Sequence, residues 1–422
     1  MAASHITAWL DHADLGTTPV RVGQLICPNH RSAPAAFAYA PDWLAHPKAF
    51  ALEPSLPLVA GPQYPQQGTL HAIFRDSAPD RWGRVLIERR ELLDAAREQR
   101  PARHLFDLDF LLAVQDSSRM GALRFQHEDA ATDQFLAASE FAVLPVSKLR
   151  ELQTLAQRIQ QDGVEALPEY EQWLAMLMAP GTSLGGARPK ANFEDADGTL
   201  WIAKFPAKDD RYDVAAWEYL AHQLARNAGI TVPTARLEDL GGGYRSFCVQ
   251  RFDRSGSLHA PRRMYASAMT LAGKQEGDAA SYLDIAQILT DQGARGHIDS
   301  DLAQLFRRLL FNISIANRDD HLRNHGFLWQ STGWRLAPAF DVNPNTAKRE
   351  HALDVGAPYA NAEGALSAAF ATHAYYRLSE AQANVILEEV LEAASQWRSM
   401  ASQLGIGSAE QRRMQAAFVL FE

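Results

Sequence analysis

The sequence predicts an α+β protein, and three features carry that expectation. Short strand-like runs broken by Pro and Gly crowd the first 145 residues and return around Asp197-Gly198. Helical periodicity dominates from Met264 onward. At 422 residues and 46.7 kDa, the chain exceeds one small domain, so two or three packed units are expected.

The elements follow in order. "RVGQLICP" and "AAFAYAPDWL" read as strands, and "PSLPLVAGPQYPQQG" as a loop. Asp80 is the N-cap of a helix over "RWGRVLIERRELLDAAREQ", where Trp82, Leu86, Ile87 and Leu93 recur near helical spacing. "VSKLRELQTLAQRIQQDG" predicts a second helix ended by Gly163. Asp197-Gly198 is a hairpin signal between two strand-like runs. In "DVAAWEYLAHQLARNAG", Val214, Trp217, Ala221 and Leu224 share one helical stripe, with Gly229 as the stop. "TARLEDLGGGYRSFCVQRFDR" reads as a strand pair. The cleanest helix is "DLAQLFRRLLFNISIANR": Leu302, Leu305, Phe306, Leu309, Leu310 and Ile313 fall at i, i+3, i+4, i+7, i+8 and i+11. A polar stretch then leads into "HGFLWQSTGWRLAPAFDV", two strand-like runs joined by a Ser-Thr-Gly turn.

Composition narrows the function classes. Apolar residues make up 47% and charged residues 22%, ordinary for a soluble globular enzyme. No run of 18 or more apolar residues occurs, so no membrane span is expected. The N-terminus lacks the basic and apolar regions of a secretory signal. The two cysteines, Cys27 and Cys248, give neither a disulfide framework nor a Cys-based zinc site, which fits a reducing cytoplasm. The formal charge of −9 argues against unaided binding to duplex DNA, whose phosphates are met by a basic face.

The stretch "IANRDDHLRNHGFLW" concentrates the chemistry. His321 and His325 stand four apart, as in a zinc-binding helix, but Leu322 occupies the place of the general-base Glu and Gly326 interrupts the helix. Asp319 and Asn324 stand five apart, as in a phosphoryl-transfer loop, and Asp341 follows after a hairpin. One carboxylate orients an attacking hydroxyl, while a carboxylate and an amide oxygen hold Mg²⁺ against phosphates. Loop polars capping a helix and a hairpin would give the same letters, so upstream residues have to decide.

Upstream, "TSLGGARPK" is a Gly-rich turn whose N–H groups suit phosphates, with Lys190 at its exit. It lacks Walker A spacing. Lys204 in "WIAKF" is costly to bury without a partner. Glu218 lies beside the apolar stripe of the next helix, and a Lys204–Glu218 pair would repeat the lysine–glutamate arrangement of kinases. The bland alternatives are a snorkelling edge lysine and an ordinary helical glutamate.

Taken in order, "SLGGARPK", "WIAKF", "CVQRFDR", "ANRDDHLRN" and "LAPAFDV" resemble the HipA-type serine/threonine kinases, toxins of bacterial toxin–antitoxin modules. "AFAYAPDWLAHPKAFALEPSLPL" resembles that family's N-terminal subdomain, although "FRDSAPDRWGR" departs from its usual wording. The resemblance implies a two-lobed protein-kinase-like fold, with an α/β N-lobe and a mainly helical C-lobe. The expected division is a HipA-like N-terminal subdomain over 1–145, a kinase-like N-lobe over 146–255 and a helical C-lobe over 256–422.

The resemblance also implies roles. Asp319 would be the catalytic base, and Asn324 and Asp341 would hold Mg²⁺. Lys204 would contact the ATP phosphates under a loop of Gly185, Gly186, Ala187, Arg188, Pro189 and Lys190. Gln250, Arg251 and Phe252 would form the hinge beside adenine, and His321 would support the nucleotide site structurally. Ser183 matches the serine that family members autophosphorylate to inactivate themselves, with Thr182 a second acceptor beside it. Phosphate adds roughly −1.5 to −2 charge where the ATP phosphates bind. Known family targets are aminoacyl-tRNA synthetases, and the partner is a helix-turn-helix antitoxin through which DNA contact is made. Two rivals stay open: a small-molecule phosphotransferase, and a pseudokinase acting as co-repressor with a DNA-binding partner.

Overall fold

Two compact units make up the chain, each assembled from separated segments. The first takes Met1–Asp209 and Asp253–Ala266, the second Asp210–Phe252 and Ser267–Glu422. The computed structural model describes residues 4–28, 30, 32–128, 134–136, 143–178, 186, 188–257 and 260–422.

The first unit begins with an antiparallel sheet of order β3-β2-β1-β4, formed by β1 (Ser4–Leu10), β2 (Val20–Cys27), β3 (Ala36–Tyr39) and β4 (Leu123–His127). Ile6, Ala8 and Leu10 recur at the two-residue period of a strand and are all buried. A Cβ on Gly23 would stand 2.3 Å from Ala38 O and 2.4 Å from the Phe37 ring, so glycine alone lets β3 close on β2. The rings of Phe37 and Phe74 lie 5.1 Å apart, and those of Phe74 and Phe125 lie 6.0 Å apart, joining sheet to helix. The strand expected over "AAFAYAPDWL" is shorter than its letters. It ends at Tyr39, and Pro41–Leu44 forms a helical turn, since Pro lacks the N–H a strand needs but fits a first helical position.

Asp80 caps the Arg81–Arg97 helix as expected, its Oδ1 accepting from the Gly83 N–H at 2.9 Å. That helix packs against the Tyr170–Met178 helix. The helix expected over "VSKLRELQTLAQRIQQDG" is confined to Leu149–Arg158. Its polar tail Gln160–Gly163 offers no apolar stripe to bury, and the chain turns at Gly163 with φ +79°. Next, β5 (Leu144–Pro145) pairs parallel with β6 (Lys190–Glu194), which pairs antiparallel with β7 (Leu200–Lys204). The β6–β7 connection carries the expected Asp197-Gly198, with Gly198 at φ +79°.

The returning segment, Asp253–Ala266, is tied in by buried charge. Gly121 N–H donates to Asp253 Oδ2 at 2.8 Å, Arg254 to the same oxygen at 2.6 Å and to Arg119 O at 2.8 Å. Arg262 donates to Asp116 at 2.8 Å.

The second unit is mainly helical. Its β8 (Ala235–Glu238) and β9 (Ser246–Gln250) form the expected antiparallel pair. The Ile298–Ser314 helix buries all six apolar positions read from its period. It is flanked by the helices Tyr282–Gln292, Ala362–Phe370 and Glu380–Ser395, which is why polar Arg308 and Asn312 are buried on it too. The hairpin Gly326–Gln330 with Gly333–Leu336 follows. Among the described residues, no helix is long and apolar enough to cross a membrane.

On the Val214–Asn227 helix, Trp217 is fully buried with ring centroids 6.3 Å from Trp397 and 6.4 Å from Phe418. Trp217→Ala is expected to cost about 3–5 kcal/mol, read as a lower urea midpoint for the second unit. A loss under about 1 kcal/mol would show that the aromatic cluster is not the core of this unit.

Candidate active site

The candidate chemistry of the second unit begins where the Ile298–Ser314 helix stops. Ala316 adopts a left-handed φ of +49°. Asn317 then folds back, its N–H donating to Asn312 O at 2.8 Å and its Nδ2 to Asn312 Oδ1 at 3.1 Å. The chain next presents two adjacent aspartates with opposite fates. The Asp319 side chain is 56% exposed and ion-paired with Lys348. Asp320 is buried and accepts from Tyr282 Oη, from Asn312 Nδ2 at 3.0 Å and from His325 Nε2 at 2.8 Å. Burial pushes the Asp320 carboxyl up, but His325, the Tyr282 hydroxyl and His321 outweigh it and leave it below the usual range.

After Asp320 comes a short 3-10 turn, Leu322–Asn324, with His321 at its start. Asn324 N–H donates to His321 O at 2.8 Å, and Asn324 Nδ2 to Asp319 O at 3.3 Å. Among the described residues, that leaves Asn324 Oδ1 buried with no hydrogen-bond partner, and His321 Nδ1 likewise. An orphaned, buried amide oxygen is what a hard divalent cation takes up. Asn324 Oδ1 therefore suits a divalent cation such as Mg²⁺.

The zinc alternative does not survive the geometry. His321 heads a turn rather than lying on a helix with His325, and His325 Nε2 is committed to Asp320. Among the described residues, no group of three or more His, Cys, Asp or Glu could hold a metal ion.

Beyond the hairpin, Asp341 is held at φ +57°, a strained setting for a residue with a Cβ. Its neighbours fix it from both sides: Ala339 N–H donates to Thr231 O, and Asn345 N–H to Ala316 O, at 2.8 and 2.9 Å. Asn345 thus returns the chain to the start of the Asp319 loop. Lys348 reaches Asp319, and Arg318 donates to Lys348 O at 2.9 Å. Gln250, Arg251 and Phe252 leave the end of β9, with Phe252 5.6 Å from the Phe340 ring beside Asp341. Glu218 is buried on the Val214–Asn227 helix.

The remaining expected residues belong to the first unit. Lys204 ends β7 and Lys190 opens β6, both buried. Gly186 has φ +81°, and Arg188 and Pro189 lead into β6. Thr182, Ser183, Gly185 and Ala187 lie outside the described residues. The structure thus gathers Asp319, His321, Asn324, Asp341 and the 250–252 segment in one unit, and Gly186, Arg188, Pro189, Lys190 and Lys204 in the other. Sequence reasoning missed Asp320, Lys348 and the second role of Asp80, whose Oδ2 accepts from Lys190 at 2.5 Å. The doubled aspartate was the available signal for Asp320, since two carboxylates side by side rarely share one job.

Comparison with known proteins gives a consistent picture. A family model for the HipA-like C-terminal domain matches residues 182–398, and one for the HipA N-terminal domain matches residues 16–126. The chain is 25% identical over 229 residues to the serine/threonine-protein kinase toxin HipA of Shewanella oneidensis, covering 48% of this chain and 51% of that protein. It is 28% identical over 163 residues to Y4dM of Sinorhizobium fredii, a protein named as a kinase, covering 35% and 38%. The chain spans about half or less of the length of these curated relatives. A structure of HipA from Shewanella oneidensis MR-1, solved with HipB and its operator DNA, superposes with a TM-score of 0.66 at 16% identity, covering 95% of this chain and 94% of that one. This likeness shows the fold alone, which is the α+β, kinase-like fold of HipA.

Removing the Asp320 carboxylate takes the acceptor from Tyr282 Oη and His325 Nε2 and leaves Asn312 Nδ2 only the Tyr282 oxygen. Asp320→Ala is expected to cost about 3–5 kcal/mol in urea unfolding at pH 7. Because the folded carboxyl titrates below its unfolded value of about 3.9, its contribution is present above that pH and fades as pH falls through the folded value. The wild type should therefore lose more stability than the variant on acidification below about pH 4. Parallel acid curves would remove the carboxylate from this role.

Proposed function

The chain belongs to the HipA family, and on that premise we propose that it is an ATP- and Mg²⁺-dependent serine/threonine protein kinase. The observation that carries the reading is an exposed Asp319 carboxylate and, on the same anchored loop, a buried Asn324 Oδ1 with no partner among the described residues. Asp319 accepts the proton of the substrate hydroxyl as its oxygen bonds to the γ-phosphorus and the bond to the bridging oxygen of ADP breaks. Bound Mg²⁺ would neutralise phosphate charge, held by Asn324 and Asp341. Lys204 and the Gly185–Lys190 loop bind the phosphates, Gln250–Phe252 lie at adenine, and His321 supports the site. The exposed Lys348–Asp319 pair is worth at most about 1 kcal/mol, so a substrate hydroxyl can displace it.

The phosphate-contacting elements then fall in 146–255 and the catalytic loop in 256–422. The wider reading is the toxin of a toxin–antitoxin module. Its protein substrate belongs to translation, an aminoacyl-tRNA synthetase being the family precedent, and autophosphorylation at Ser183 silences it. A helix-turn-helix antitoxin is the expected partner, with DNA reached through it. Support comes from the Shewanella oneidensis complex, in which HipA sits with HipB and operator DNA.

Incubating the full chain with Mg-ATP and mapping its peptides by mass spectrometry tests this. One added phosphate at Ser183 or Thr182 is expected. Asp319→Asn should slow transfer by roughly 10²–10⁴-fold while ATP still binds. Full activity in that variant would sink Asp319 as the base. ATP binding without any transfer by the wild type would favour a small-molecule phosphotransferase or a pseudokinase co-repressor.

A further inference from the structure

Within the first unit, three charged groups stand together away from water. Lys190 and Lys204 face each other directly across β6 and β7, and both are buried. Like charges opposed on paired strands repel, and burial adds to the cost. Asp80 offsets this. Its Oδ2 accepts from Lys190 Nζ at 2.5 Å, with the two side chains 8% and 1% exposed respectively. Its Oδ1 accepts the Gly83 N–H, so the positive end of the Arg81–Arg97 helix is turned to the same carboxylate. Burial holds the Asp80 carboxyl above its usual range, against the opposing pull of Lys190, the Gly83 N–H and Lys204.

The Lys190 ammonium has a second commitment: it donates to Gly186 O at 3.0 Å. One ammonium therefore joins the Asp80 carboxylate to the backbone four residues upstream. An apolar side chain at position 190 would fill the same space without desolvating a charge, and buried ion pairs are weak contributors to stability. The arrangement has a better use in fixing where positive charge sits.

We propose that Asp80 is a positioning residue for the nucleotide phosphates: it fixes the Lys190 ammonium, through it the backbone at Gly186, and offsets the charge of Lys204. The inference rests on the ATP reading above, and Asp80 itself touches no substrate.

Charge and orientation predict opposite results. Deleting a carboxylate beside phosphate-binding lysines strengthens anion binding if Coulomb attraction is all that changes. Losing the orientation of Lys190 weakens it. The experiment is calorimetric titration of the full chain, wild type and Asp80→Asn, with Mg-ATP and separately with adenosine. Asn caps a helix as well as Asp, so the fold should hold, and Asp80→Ser serves if it does not. The expected result is Mg-ATP binding weakened about tenfold, the scale of one charge-assisted hydrogen bond, with adenosine affinity unchanged. Unchanged or tighter Mg-ATP binding overturns the proposal, as does an equal loss for ATP and adenosine, which is the mark of general damage. A wild type that binds Mg-ATP but transfers no phosphate sinks the kinase reading and leaves these affinities to judge Asp80. A wild type that binds no ATP overturns both.

Discussion

A carboxylate taken out of water keeps its charge only where donors replace the water, and Asp320 in the second unit meets that condition. Its three donors come from three places in the chain: Tyr282 on one helix, Asn312 on the central helix and His325 at the start of the hairpin. One charge thereby fixes the relation of three elements. The loop carrying Asp319 and Asn324 runs between two of those anchors, so its register is set before any ligand arrives. Asn312 serves twice, since it also holds Asn317. Sliding the loop by one residue would break the whole set of bonds at once, and that cost is what preorganises the exposed Asp319.

The first unit meets the same physics with the opposite sign. There the buried charges are two ammonium groups on neighbouring strands, and the carboxylate comes from a helix N-cap far away in sequence. Neither arrangement is an efficient way to stabilise a fold, because desolvation takes back most of the Coulomb gain. Both are efficient ways to hold a charged group in one place. On the proposed reading, receiving phosphates and leaving a carboxylate open to a hydroxyl both need placement more than stability.

Local rules account for what was legible in the sequence. The Ile298–Ser314 helix, the three antiparallel strand pairs and the Asp80 cap each announce themselves within a few residues, through period, turn or capping chemistry. The order of Asp319, Asn324 and Asp341 was legible for the same reason, being a spacing. What escaped was whatever needs a distant partner. Asp80 is fully explained locally as a cap, so nothing in its neighbourhood points to Lys190, 110 residues on. Asp320 reads as a second copy of Asp319 until Tyr282 and Asn312 are brought beside it. The strand over "AAFAYAPDWL" was overextended because its apolar letters continue past Pro41, where the backbone cannot. The return of 253–266 to the first unit leaves no local mark at all.

That return has a bearing on how the protein is made. Asp253, Arg254 and Arg262 supply buried partners to Gly121, Arg119 and Asp116, residues synthesised more than a hundred positions earlier. These bonds of the first unit therefore cannot form before residues 253–266 have been made. Arg124 can already hold Asp116, but the bonds from Arg254 and Arg262 wait until the chain through Ala266 is made. By then part of the second unit, residues 210–252, has already been made. Vectorial synthesis, which usually lets an N-terminal domain fold first and alone, here ties the completion of one unit to the emergence of the other.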